Sequence, residues 1–133
     1  MHGIEPHAIW TGHAGDGRNF RAMLDLGIEA LVQLALEEPP VSPPRELLYF
    51  RFPLLDGAGN REAVLDLAIS TVCSLVQARI PTLVCCGAGM SRSVAITAAA
   101  LMKLGVGDLQ TAVSGRPADI SPALWAEIER RFL

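Results

Sequence analysis

Cys86 and Arg92 stand six positions apart, with Gly87-Ala88-Gly89-Met90-Ser91 between them and Ser93 directly after. A cysteine thiolate is a strong nucleophile. An arginine guanidinium holds two oxygens of a phosphate through parallel N–H bonds. Linked by a short loop of small residues, the pair suits in-line attack on phosphorus. Cys86 would lie beneath the phosphorus, and Arg92 would grip the equatorial oxygens best in the transition state, where charge spreads over them. Gly87 and Gly89 permit backbone dihedrals that turn successive N–H groups inward, forming a cradle of phosphate size. Ala88, Met90 and Ser91 complete it. The positive field of the cradle favours the thiolate. Ser93 adds a hydroxyl that can reach the Cys86 sulfur and ease its departure from a phosphocysteine.

Such a loop needs a buried strand before it and a helix after it. Thr82 to Cys85 reads as that strand, and Ser93 to Leu104 as an Ala-rich helix whose N-terminal dipole faces the cradle. Further strands are expected at Ala8-Ile9-Trp10, Ile28 to Leu36 and Leu47 to Phe52, the last ended by Pro53. Helices are expected over Asn19 to Leu26, with Gly27 at the C-terminus, over Arg61 to Arg79, and over Asp108 to Ser114 and Pro122 to Phe132. The long helix has Val64, Leu67, Ala68, Thr71, Val72, Leu75 and Val76 on its apolar side. Glu37 to Arg45 carries Pro39, Pro40, Pro43 and Pro44 and reads as a stiff loop. Strands alternating with helices predict an α/β fold: a central, mostly parallel sheet of about four or five strands flanked by helices. Ligands of such sheets bind where strands end and helices begin, which is where the Cys86 loop falls.

The 133 residues suffice for one domain, 1–133, with a real core. Apolar residues make up 50% and charged residues 19%, a globular balance. A net charge of −3 gives no general attraction to nucleic acid or acidic lipid. No apolar run approaches the ~18 residues of a membrane span, and the N-terminus does not read as a signal peptide. Cys73, Cys85 and Cys86 are odd in number and two are adjacent, which does not fit a disulfide framework. The expectation is a cytoplasmic monomer in a reducing compartment. His2, His7 and His13 lack the spacing of a metal set and read as surface residues. Trp10, Trp125 and Cys73 read as core or half-buried, and Arg18, Arg45, Arg51 and Arg116 as solvated surface.

The segment from Cys86 to Ser93 resembles the active-site loop of the protein tyrosine phosphatase superfamily, Cys-x-x-Gly-x-x-Arg-Ser/Thr, often with Ala before the Gly. Cys86, Ala88, Gly89, Arg92 and Ser93 match it position for position. Trp10-x-Gly12 and Leu24-x-Leu26-Gly27-Ile28-Glu29-Ala30-Leu31-Val32-Gln33-Leu34 are similar to the opening of a compact dual-specificity phosphatase domain. Arg116-Pro117 and Ile120-Ser121-Pro122 resemble its closing segment. The resemblance implies a cysteine-dependent phosphomonoesterase that needs no metal or cofactor. Its substrate would be a phosphorylated protein or a small aryl phosphate. It also implies a general acid, supplied in this family by an Asp about thirty residues before the Cys. Asp56, in the loop Leu54 to Asn60, stands at that distance; Asp16 and Asp119 do not.

Two positions depart from the pattern. Cys85 replaces the usual His before the nucleophile, and a neutral thiol cannot reproduce an imidazole's hydrogen bonds, so slower turnover is expected. Ala123 replaces an Asn that often supports the loop. Cys85 reads as a small buried strand residue, with a redox partnership to Cys86 as the alternative. The variable loop positions carry no basic side chain, which does not favour a highly anionic headgroup. Two other functions remain open: a phosphate-binding module with little turnover, and a sulfurtransferase, for which Asp56 would have no use.

Overall fold

The computed structural model describes residues 1–133. Chain order is β1 (His2–Gly3), β2 (Ile9–Gly12), α1 (Ala14–Arg18), α2 (Phe20–Asp25), β3 (Ala30–Ala35), β4 (Leu48–Leu54), α3 (Glu62–Gln77), β5 (Thr82–Cys85), α4 (Arg92–Leu104), α5 (Leu109–Val113) and α6 (Pro122–Phe132). The strands form one five-stranded sheet in the order β1-β2-β5-β3-β4. Only β1 runs antiparallel to its neighbour. The expected α/β architecture is therefore present. No helix is long and apolar enough to cross a membrane.

β5 is the central strand, and all four of its residues are buried. Its apolar run suits a strand covered on both faces. Alternation along it decides where each side chain goes. Leu83 and Cys85 join Met23, Ile28, Leu31 and Leu47 on the side of α1 and α2. Val84 and Cys86 join Leu65, Ile69, Val72, Ala95 and Ile96 on the side of α3 and α4. The adjacent cysteines thus face opposite layers. In the parallel register, Gly12 and Gln33 both lie level with Cys85. The carboxyl ends of β2, β5 and β3 converge there, and the Cys86 loop rises from that edge.

α4 is buried along Arg92 to Leu101. Ala95, Ala98, Ala99 and Ala100 let it sit close to the elements around it, at no helix-propensity cost. Its last turn closes on Gly105, in the left-handed region at φ 69°.

Several expectations need correction. β4 runs through Pro53 to Leu54, because β4 is an edge strand where a missing N–H is tolerated. The buried stripe of α3 is Leu65, Ala68, Ile69, Val72 and Leu75, while Leu67 is exposed. Apolar residues lie on most sides of that helix, so spacing alone did not choose the face. β1 and α1 were not expected; one has two residues and the other carries Gly15 and Gly17 within five. α1 forms because His13 and Asp16 make a reciprocal capping box, which gives His13 a structural role.

Gly17 lets α1 approach β5. A Cβ at Gly17 would lie 2.7 Å from the Cys85 sulfur, a short and buried side chain with little room to yield. Gly17→Ala is therefore expected to destabilise the fold by about 1–2 kcal/mol, after the gain in helix propensity is subtracted. Cys85→Ala in the same chain should recover most of that loss. Urea unfolding of the two single variants and the double variant measures it, and additive losses would exclude this contact.

Candidate active site

The loop between β5 and α4 is held by its carbonyls and by its first amide. Cys86 N–H donates to the carbonyl of Gly12 at 3.2 Å, at the end of β2. Ala14 N–H donates to Gly87 C=O at 3.0 Å, and Asp119 N–H to Met90 C=O at 2.9 Å. The flanking segments thereby take the carbonyl side of the loop. The amides of Gly87, Ala88, Gly89, Met90 and Ser91 donate to nothing within the protein. A run of unsatisfied donors ahead of a helix is the arrangement that binds a tetrahedral oxyanion.

Gly89 is the position where the loop demands glycine. Its φ is +77°, and a Cβ there would come within 2.8 Å of the backbone of Gly12 and His13. Gly87 needs no such dihedral. It is required for space, since its Cβ would stand 3.0 Å from Glu37 Oε2 and 3.2 Å from Arg92 Nη2. The sequence expectation that both glycines serve by unusual dihedrals is corrected to that extent.

Cys86 is 2% exposed, and its Sγ–H donates to Ser93 Oγ at 3.3 Å. When the sulfur is a thiolate the same hydroxyl can donate back. Arg92, 5% exposed, starts α4 and turns its guanidinium into this region. Nη1 donates to Glu37 Oε1 at 2.7 Å and to the carbonyl of Leu54 at 2.8 Å. Nη2 donates to Glu37 Oε2 at 2.5 Å. Nε is buried and has no partner. One edge of the planar fork is therefore clamped. The other edge, Nε–H with the adjacent Nη2–H, is left for a ligand. The Glu37 bonds raise the Arg92 pKa above its ordinary value despite burial, and the charges of Glu37, Cys86 and Asp56 act in the same sense.

Asp56, from the loop after β4, reaches the same region. Its Oδ1 accepts from Ser91 Oγ–H at 2.5 Å, and Ser91 Oγ accepts from Ser121 N–H at 2.9 Å. Cys86, Arg92, Asp56, Ser93 and the loop amides are thus linked through a few contacts. Asp16 lies outside that group, capping α1 and pairing with the N-terminal ammonium at 3.4 Å. Asp119 enters through its backbone. Two of the arginines read as solvated surface are structural instead: Arg51 donates to the Glu38 carbonyl at 3.1 Å, and Arg116 to the His2 carbonyl at 2.9 Å. A cavity of about 610 Å³ between His7, Ile9, Val76 and Arg79 is at the other end of the sheet and contains none of the Cys86 group.

A scan of family models and a search of curated proteins found no match to this sequence. Solved structures do match. Human DUSP28 is similar at 25% identity over 93% of this chain and 90% of its own, with a TM-score of 0.80. A mouse protein described as a dual specificity phosphatase, solved in complex with zinc tungstate, is similar at 25% identity over 98% and 84%, with a TM-score of 0.83. The chain has the fold of the compact dual-specificity phosphatases. The same fold is found in the human tyrosine phosphatase-like serine/threonine/tyrosine-interacting protein, at 18% identity over 98% and 92% and a TM-score of 0.77.

In this phosphatase-like chain the residue before the loop cysteine faces away from the loop. Burial pushes the Cys85 thiol up to about 12, with the nearby charge of Cys86 adding to the effect. Cys85 stays neutral and fills space against Gly17. Glu37 is the residue that sequence reasoning passed over. It was read only as the start of a proline-rich loop, although it follows β3 at the ligand-binding edge of the sheet.

Glu37 side-chain atoms are 59% exposed, yet the Arg92 hydrogen bonds hold its carboxyl at about 2, below its ordinary 4.5. A carboxyl lowered on folding adds stability above its unfolded value and loses it as pH falls through its folded value. Wild type is therefore expected to exceed Glu37→Gln in stability at neutral pH, and the gap should close between about pH 4.5 and about 2. Urea unfolding at stepped pH reads this gap. A gap that stays constant would mean that the ion pair is not its source.

Proposed function

We propose that this chain, with residues 1–133 as its catalytic domain, is a cysteine-dependent phosphomonoester hydrolase acting on phosphorylated protein. One observation carries the reading: beside Cys86 lies a set of unfilled donors, the five loop amides and the buried Nε of Arg92. Those donors suit the three non-bridging oxygens of a phosphoryl group, and they need no metal to supply positive charge. The mouse relative was solved with tungstate, also a tetrahedral oxyanion.

In this mechanism the Cys86 thiolate attacks phosphorus, and the S–P bond forms as the ester P–O bond breaks. The electron pair of the broken bond stays on the ester oxygen, which takes the proton of Asp56. Arg92 and the loop amides hold the equatorial oxygens as charge develops on them. Water then attacks the phosphocysteine, its proton passes to Asp56, and the S–P bond breaks to restore the thiolate. Ser93, 3.3 Å from the sulfur, stabilises that departing thiolate. Aryl esters are favoured, since phenoxide leaves more readily than an alkoxide. Leu36, Leu55 and Met90, next in sequence to Glu37, Asp56 and Gly89, are exposed and apolar, which suits an aromatic side chain more than a polyanionic headgroup.

The test is hydrolysis of para-nitrophenyl phosphate in EDTA with reductant present. Wild type is expected to turn over and Cys86→Ser to lose all activity, while Asp56→Asn should fall by about a hundredfold on phenyl phosphate, whose oxygen must be protonated as it leaves. A folded wild type that binds tungstate without turnover would instead make the chain a phosphate-binding module. An Asp56→Asn variant of full activity on phenyl phosphate would exclude Asp56 as the acid.

A further inference from the structure

Ser91 holds the N-cap position of α4, where a serine hydroxyl ordinarily accepts an amide of its own helix. Here it makes no such bond. Its backbone, at φ −126° and ψ −80°, is not that of an ordinary cap. The side chain is only 7% exposed, and both of its hydrogen bonds go to other segments. Ser91 Oγ accepts from Ser121 N–H at 2.9 Å and donates to Asp56 Oδ1 at 2.5 Å. Three segments meet on this one oxygen: the Cys86 loop, the Asp56 loop and the turn into α6.

The direction of these bonds follows from the groups present when Asp56 is a carboxylate. An amide N–H can only donate, so Ser121 must give and Ser91 Oγ must accept. Ser121 cannot easily turn away, because its own hydroxyl caps α6 at Leu124 N–H and Pro122 follows. A carboxylate can only accept, so the single proton of Ser91 goes to Asp56. Oδ1 is occupied as an acceptor, while Oδ2 has no partner in the protein. The rest of the Asp56 loop is braced independently. Asn60 bonds both the N–H and the C=O of Leu55, at 2.8 Å and 2.9 Å, and Gly59 N–H reaches Glu127 at 3.3 Å. The loop backbone is thus fixed by Asn60 and Glu127, and the carboxyl by Ser91.

We propose that Ser91 is the positioning residue of the general acid, selecting the Asp56 oxygen that carries the transferable proton. With Oδ1 accepting from Ser91, the proton of the neutral acid sits on Oδ2. That proton passes to the ester oxygen as the P–O bond breaks, and the carboxylate left behind keeps its bond from Ser91. In the second step the proton of the attacking water returns to Oδ2. This inference rests on the phosphatase reading and on Asp56 as its acid.

The consequence is a dependence on the leaving group. An ester that needs its oxygen protonated, such as phenyl phosphate, should be sensitive to Ser91. One that leaves well unprotonated, such as para-nitrophenyl phosphate, should be much less so. The experiment measures kcat and KM of both esters for wild type, Ser91→Ala, Ser91→Thr and Asp56→Asn. Ser91→Ala is expected to lower kcat on phenyl phosphate about tenfold, with less than about a threefold change on para-nitrophenyl phosphate and little change in KM. Ser91→Thr should restore the hydroxyl and the ratio. The ratio of the two rates is independent of how much of a preparation is folded, so partial unfolding cannot mimic the result. Equal losses on both esters, or a Ser91→Ala ratio like that of wild type, would overturn the proposal while leaving Asp56 as the acid. An Asp56→Asn variant that keeps its phenyl phosphate rate would overturn the acid reading and this inference together.

Discussion

A guanidinium buried to 5% exposure is the constraint around which the site is organised. Such a charge is tolerated inside a protein only when it is paired and hydrogen-bonded. Arg92 meets that condition on one side alone, through both oxygens of Glu37 and the carbonyl of Leu54. These partners come from the ends of β3 and β4, so two strands are enlisted to hold one side chain. Removing Glu37 would leave a charge both buried and poorly paired. The half-satisfied state is also what keeps the remaining edge of the fork unoccupied.

The segment carrying Glu37 is itself tied down. Gln33 Nε2 donates to the Pro39 carbonyl at 2.9 Å, and the Tyr49 hydroxyl donates to Gln33 Oε1 while accepting from Val41 N–H at 3.3 Å. Arg51 holds the Glu38 carbonyl from the other side. The prolines limit the conformations open to the segment before folding, which lowers the entropy lost in ordering it. The clamp on Arg92 is therefore built by folding and does not wait for a ligand. The same division of labour holds at Ser91, where the backbone of one turn sets the hydrogen bond of another loop.

What could be read from the sequence follows from distance along the chain. Cys86, Arg92 and Ser93 lie within eight residues, and a strand-loop-helix motif brings them together wherever it occurs. The α/β pattern was legible for a similar reason, since each apolar run predicts its own element. Glu37 pairs with Arg92 across 55 residues, and nothing in its neighbourhood distinguishes it from any glutamate before a proline run. Ser91 was assigned to the cradle because its position there is local; its bond to Asp56 spans 35 residues. Gly17 drew no reading from the sequence, because its role against Cys85 depends on how α1 lies on the sheet. The edge position of β4, which excuses Pro53, is a property of strand order and has no local signature.

Strand alternation also has a consequence for oxidation. A nucleophilic cysteine oxidised to its sulfenic acid is rescued when a second thiolate attacks it. Cys85 is the nearest thiol in sequence, but it points into the opposite layer and stays protonated, with its thiol pushed up to about 12. A thiol so placed and held neutral is a poor attacker of the Cys86 sulfur. Two adjacent cysteines are thus divided between the two layers, and the other thiol on the Cys86 side is that of Cys73.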